Sequence, residues 1–160
     1  MSKDKLKTAV LGRRQMLKSV GLGALALAGT GLGSRSAQAT PEKANEYLSK
    51  MTSGVAGTQG KVTVKLPEIA ENGRTVPITV TVDSPMTDGD YVKSVHVVAE
   101  GNPNPEVISF NLSPAMGKAE VSTRMRLGKT QNVRAAAIMS DGSVFTGTKE
   151  VKVTIGGCGG

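Results

Sequence analysis

From Lys61 to Ile155 apolar and polar side chains largely alternate, the period of a strand with one face buried and one face wet. Val62-Thr63-Val64-Lys65-Leu66, Val76 to Val82 and Val121 to Leu127 follow this rule closely, and Val107 to Leu112 follows it in part. Val92 to Ala99, Val133 to Met139, Val144 to Thr146 and Val151 to Ile155 bring the total to about eight strand candidates, rich in β-branched side chains. Turn-forming clusters separate them: Glu71-Asn72-Gly73, Thr87-Asp88-Gly89-Asp90, Gly101-Asn102-Pro103-Asn104-Pro105, Pro114-Ala115-Met116-Gly117 and Asp141-Gly142. Asp141-Gly142 lies between two apolar runs and predicts a hairpin.

The period is helical only ahead of these strands. Ala44, Tyr47, Leu48 and Met51 recur at helical spacing, with Thr40 as N-cap, Pro41 at the first helical position and Gly54 as the stop. That apolar stripe suits packing on the chain's own domain better than packing on a partner. Short strands with no helix between them predict an all-β fold, an immunoglobulin-like antiparallel β-sandwich preceded by one short helix.

The first 39 residues have a different character. A polar basic start leads to Gly12-Arg13-Arg14-Gln15-Met16-Leu17-Lys18, then an apolar run from Ser19 to Gly33, then Ala37-Gln38-Ala39. This is the layout of an export signal with its small-residue cleavage site. The arginine pair points to the twin-arginine route and hence to the bacterial periplasm. The run is shorter than the roughly 20 residues a spanning helix needs, so no membrane anchor is expected. The organisation read from the chain is a signal peptide over 1–39, a helix over 40–54, a sandwich over 55–155 and a tail over 156–160.

Removing the signal changes the charge. The whole chain carries 20 Lys and Arg against 13 Asp and Glu, a formal net charge of +7. Seven of the bases and one of the acids lie in the signal, which leaves 13 against 12, a net charge near +1. The basicity belongs to the address, so it argues for no nucleic-acid partner.

The candidate chemistry is at the other end. Cys158, the single cysteine, sits in Gly156-Gly157-Cys158-Gly159-Gly160. Glycine loses the most backbone freedom on ordering, so this segment is expected to act as a flexible arm. With the last strand held as far as Ile155, Cys158 reaches roughly 10 Å beyond the sheet. An unpaired thiol in an oxidising compartment points to a reactive group or an intermolecular bond. Nothing beside Cys158 in sequence is a base, and a tether is a poor place for the fixed nucleophile–base geometry of a Cys-His hydrolase. The thiol is therefore expected to be acted on by other proteins.

Other features are weaker. His96 is the only histidine, and with one cysteine it cannot complete a three- or four-ligand zinc site, so it reads as structural. Arg124 and Arg126 share one strand face, which suits a solvated surface first and an anionic group or partner carboxylate second. No acid pair, phosphate loop or cofactor motif is legible. Two rivals remain: an exported β-sandwich that only binds, with a non-functional tail, and a ubiquitin-like carrier using the Gly160 carboxylate. The export signal and the all-β pattern weigh against the second.

The residues also resemble a known family. Pro67 to Gly73, Val76-Pro77, Val82-Asp83-Ser84-Pro85-Met86, Asn102 to Pro105, Ser122 to Arg126 and above all Gly156 to Gly160 are similar to SoxY, the sulfur-carrier subunit of bacterial thiosulfate oxidation. The resemblance covers essentially the whole chain. It implies a sandwich that pairs with a SoxZ-like subunit as a heterodimer, with Cys158 as the carrier thiol and no cofactor of its own. It further implies three visiting enzymes: a c-type cytochrome that joins thiosulfate to the thiol, a manganese thiohydrolase that releases sulfate, and, where present, a sulfur dehydrogenase that oxidises the remaining persulfide.

Overall fold

A computed structural model describes residues 40–155. The signal peptide and the tail at 156–160 lie outside the described residues.

Helix α1 spans Pro41–Met51. Proline at the first helical position, Glu42 in the first turn and Lys50 in the last turn all suit the helix dipole. Thr40 takes the N-cap position in extended conformation, but its hydroxyl makes no capping bond. Gly54, with φ +79°, donates its N–H to the Ser49 carbonyl at 2.8 Å and closes the helix end. Of the apolar stripe, Ala44 and Leu48 are buried, against Val98, Ala136 and Val144 of the chain's own sheet. Met51 is exposed.

Nine strands follow: β1 (Thr58–Gln59), β2 (Val62–Lys65), β3 (Ile69–Ala70), β4 (Val76–Val82), β5 (Val92–Ala99), β6 (Glu106–Asn111), β7 (Ala119–Met125), β8 (Gln131–Met139) and β9 (Val144–Val153). They make two sheets, one of six strands in the order β1-β9-β8-β5-β6 with β3 also on β9, and one of three in the order β2-β4-β7. This is the immunoglobulin-like sandwich expected from the alternation. Two details differ from the reading of the sequence. Val144–Thr146 and Val151–Ile155 are parts of one continuous strand that ends at Val153, because β8 pairs with it from Gln131↔Val151 to Ile138↔Val144. The polar interruption Gly147-Thr148-Lys149-Glu150 is a run of ladder residues, not a break. The second difference is that β1 and β3 are parallel to β9 and too short to show a period.

The core lies between the sheets and is built largely of valine. Val76, Val80, Val95, Val97, Val133 and Val151 are each at most 1% exposed, as is Leu127. Complete burial of one such side chain contributes about 1.5 kcal/mol or more. Gly147 allows the two sheets to close. A Cβ there would lie 2.3 Å from the Val62 carbonyl oxygen, so only glycine lets β2 approach β9 this closely. The hairpin at Asp141-Gly142 forms as expected, with Gly142 at φ +86° and the Met139 N–H donating to the Ser143 carbonyl at 2.9 Å.

Candidate functional site

Cys158 and its four flanking glycines lie outside the described residues, but the structure fixes where the tail departs. The strand ladder ends at Val153, two residues earlier than the alternation implies. From Lys152 through Ile155 the chain is bonded to the segment 68–73. The Lys152 N–H donates to the Glu68 carbonyl at 2.9 Å and the Thr154 N–H to the Ala70 carbonyl at 3.1 Å. The Thr154 hydroxyl donates to the Glu71 carbonyl at 2.9 Å. Finally the Gly73 N–H donates to the Ile155 carbonyl at 2.7 Å. Ile155 is held by its backbone alone, since its side chain is 68% exposed. Ile155, the last described residue, is thus held by successive hydrogen bonds, and the exposed Ile69 lies in the β3 segment beside it.

His96 is buried on the outer face of β5 beneath the helix. Its Nδ1 is 2.7 Å from the Ser109 Oγ and its Nε2 is 3.0 Å from the Ser94 Oγ. The Tyr47 hydroxyl, from α1, lies 3.3 Å from the same Ser109 Oγ. Burial holds the His96 pKa below its usual 6.5, partly offset by the Glu106 carboxylate. This arrangement ties helix, β5 and β6 together, as a structural histidine does. The ladder register His96↔Ala136↔Thr146 sets it level with Thr146, seven residues before Val153. At about 3.3 Å per residue that is roughly 23 Å along the strand, and two strands across. From Ile155 three further residues span at most about 10 Å, so His96 cannot serve as a base for Cys158.

Arg124 and Arg126 project from the end of β7 with Met125 and Leu127 buried between and beyond them. The structure adds a third guanidinium that the sequence reading missed. Arg74, together with Arg124 and Arg126, lines a cleft of about 350 Å³ between β7 and the start of β6. The signal was present but unreadable: Arg74 follows a turn cluster in sequence, and only the fold returns that turn to β7. Asn72 Oδ1 accepts from the Arg74 N–H at 2.9 Å, which shapes the turn. The Leu127 N–H donates to the Gly73 carbonyl at 2.8 Å. Asn102 fixes the far side, donating from Nδ2 to the Arg126 carbonyl at 2.8 Å and accepting from the Gly128 N–H at 3.0 Å.

Among the described residues no group of three His, Cys, Asp or Glu side chains is placed to hold a metal. A depression of about 440 Å³ lies between α1 and the outer faces of β8 and β9. It is bordered by Arg134, which is paired with the buried Glu100 and also donates to Asn45 Oδ1 at 2.6 Å.

Comparison with known proteins places these features. Residues 49–158 match the family described as sulfur oxidation protein SoxY. The structure is similar to the sulfur carrier protein SoxY from Chlorobium limicola f thiosulfatophilum, at 31% identity and a TM-score of 0.60, covering 70% of this chain and 92% of that one. It is also similar to a superoxide reductase (neelaredoxin) from Ignicoccus hospitalis, at 15% identity and a TM-score of 0.53, covering 73% of this chain and 95% of that one. At that identity the second likeness shows a shared sandwich and nothing of its chemistry. No curated protein matches the chain.

Proposed function

Because the chain belongs to the SoxY family, we propose that it carries sulfur covalently on Cys158 during thiosulfate oxidation in the periplasm. The observation that carries this reading is the extent of the family match, which runs through the sandwich and ends on Cys158 itself. The root geometry supports it. Ile155 is a backbone-bonded anchor three residues before Cys158, and the chain's one histidine is out of reach, so the thiol has no imidazole base of its own. The chemistry is therefore supplied by visiting enzymes.

In that cycle the Cys158 sulfur forms a bond to the outer sulfur of thiosulfate. Two electrons leave to the c-type cytochrome partner and the thiol proton goes to water. The manganese thiohydrolase then adds water across the terminal S–S bond, releasing sulfate and leaving a persulfide on Cys158, one of the reversible oxidised states of cysteine. Where a sulfur dehydrogenase is present it takes six electrons from the outer sulfur while three waters supply its oxygens, and a second hydrolysis then releases that sulfur as sulfate and restores the Cys158 thiol. The chain's part is to hold, deliver and release. It does so alongside a SoxZ-like subunit, after export by the twin-arginine route.

Cys158→Ser tests this directly. The variant is expected to fold normally and to abolish turnover in a reconstituted thiosulfate-oxidising mixture. Intact mass spectra of the wild-type chain after a single conjugation step are expected to show an added thiosulfonate on Cys158. Full turnover by the variant, or added sulfur on the Gly160 carboxyl with Cys158 free, would overturn the reading.

A further inference from the structure

We propose that the Arg74, Arg124 and Arg126 cleft is a resting site for an anionic group carried on the chain's own Cys158. This rests on the carrier reading above and adds to it a place where the loaded thiol is held between visits.

Three observations converge on it. First, the cleft is cationic. Three guanidinium groups line it against one carboxylate, Glu106, and among the described residues none of the three arginines is in an ion pair. Arginine presents a planar fork of donors that matches the oxygens of a sulfonate or carboxylate. Second, its frame is fixed. The backbone beside Arg74 and Arg126 is joined by the Leu127–Gly73 hydrogen bond, and Asn102 pins both the Arg126 carbonyl and the Gly128 N–H. Third, the cleft adjoins the root of the tail. The same Gly73 whose carbonyl accepts from Leu127 donates its N–H to the Ile155 carbonyl, so the last held residue of the tail lies one residue from Arg74 across a single hydrogen bond. Cys158 is three residues beyond Ile155, a span of at most about 10 Å from that root.

The occupant follows from charge and length. A thiosulfonate or sulfonate on Cys158 has a permanent negative charge and three oxygens, whereas a protonated thiol carries no charge. The cleft therefore favours the loaded tail over the empty one. Charge pairing at an exposed cleft of this kind is weakened by salt.

The test uses reagents that need no partner enzyme. The chain as isolated is labelled at Cys158 with sulfonatoethyl methanethiosulfonate, which leaves an anionic mixed disulfide and expels methanesulfinate. A second sample is labelled with methyl methanethiosulfonate, which leaves a neutral one. The Gly160 carboxylate is common to both. The guanidinium Nε–H resonances of Arg74, Arg124 and Arg126 are expected to shift with the anionic adduct only, and the shift is expected to shrink as salt is added. In the Arg124→Gln, Arg126→Gln double variant, whose fold is checked by its thermal midpoint, the Arg74 shift is expected to vanish. Equal shifts with both adducts, or no shift with either, would overturn the proposal. So would a full shift produced by free methanesulfonate at the protein's own concentration, since tethering would then contribute nothing. Failure of the carrier reading gives a different result: Cys158 stays unmodified by thiosulfate and the conjugating partner, whatever the arginines do.

Discussion

The two sheets of the sandwich share one core but differ on their outer faces. The three-stranded sheet turns its outer face to water. There Thr79 and Ser122 share a hydrogen bond of 2.8 Å and Thr81 donates to Glu120 at 3.3 Å, both exposed. The centre of the six-stranded sheet is covered on both faces. Val95 and Val97 point into the core, while Ser94, His96 and Val98 are buried on the other side, where the helix lies. The difference is visible in the strands. β4 keeps strict alternation, whereas in β5 seven of eight residues are buried. A half-buried strand can meet its needs with alternating hydrophobicity. A doubly buried one must also satisfy every polar group it retains, and β5 and β8 do so with the Tyr47–Ser109–His96–Ser94 chain and the Glu100–Arg134 pair.

The comparison can be broken at four points. The largest effect is expected from Arg134→Met, which leaves the buried Glu100 carboxylate without its cation and should cost about 3 kcal/mol in chemical denaturation. Val98→Ala removes a fully buried side chain between helix and sheet. A loss of about 2 kcal/mol is expected, and a loss near zero would mean that the helix does not seal this face.

Next comes pH. The folded His96 has a lower pKa than the unfolded chain, so the unfolded state takes up the proton first. Stability is therefore full above the unfolded value near 6.5 and declines as pH falls through it toward the folded value. Tyr47 and Glu106 face the same hydrogen-bonded chain, and Glu106 partly counters the effect. Thermal midpoints should fall between about pH 7 and about pH 5, and His96→Gln should flatten that slope. An unchanged slope in the variant would exclude His96 as its source. The smallest effect belongs to the open face, where Thr79→Ala should stay within about 0.5 kcal/mol of wild type.

The same contrast explains what was legible beforehand. β4 was readable to the residue because one face is wet, and the alternation survives. β9 was read as two strands because its middle is polar and carries Gly147, whose presence answers to Val62 on the other sheet. β1 and β3 were missed because two residues carry no period, and their pairing with β9 is entirely long-range. The apolar stripe of α1 was readable, and so was its packing on its own domain, but not that it lies over β5, β8 and β9.

The amino-acid sequence alone determined the sandwich, the hairpin at Asp141-Gly142 and the identity of the candidate thiol, because each depends on local periodicity, turn chemistry or a unique residue. The tertiary structure decided what surrounds the root of the tail. Gly73 bonds both Ile155 and Leu127, and thereby sets Arg74 in the cleft with Arg124 and Arg126. It also places His96, by ladder register, roughly 23 Å back along the strand direction from Val153. Both outcomes depend on which distant segments lie side by side, and burial of a shared core settles that rather than any local preference of the chain.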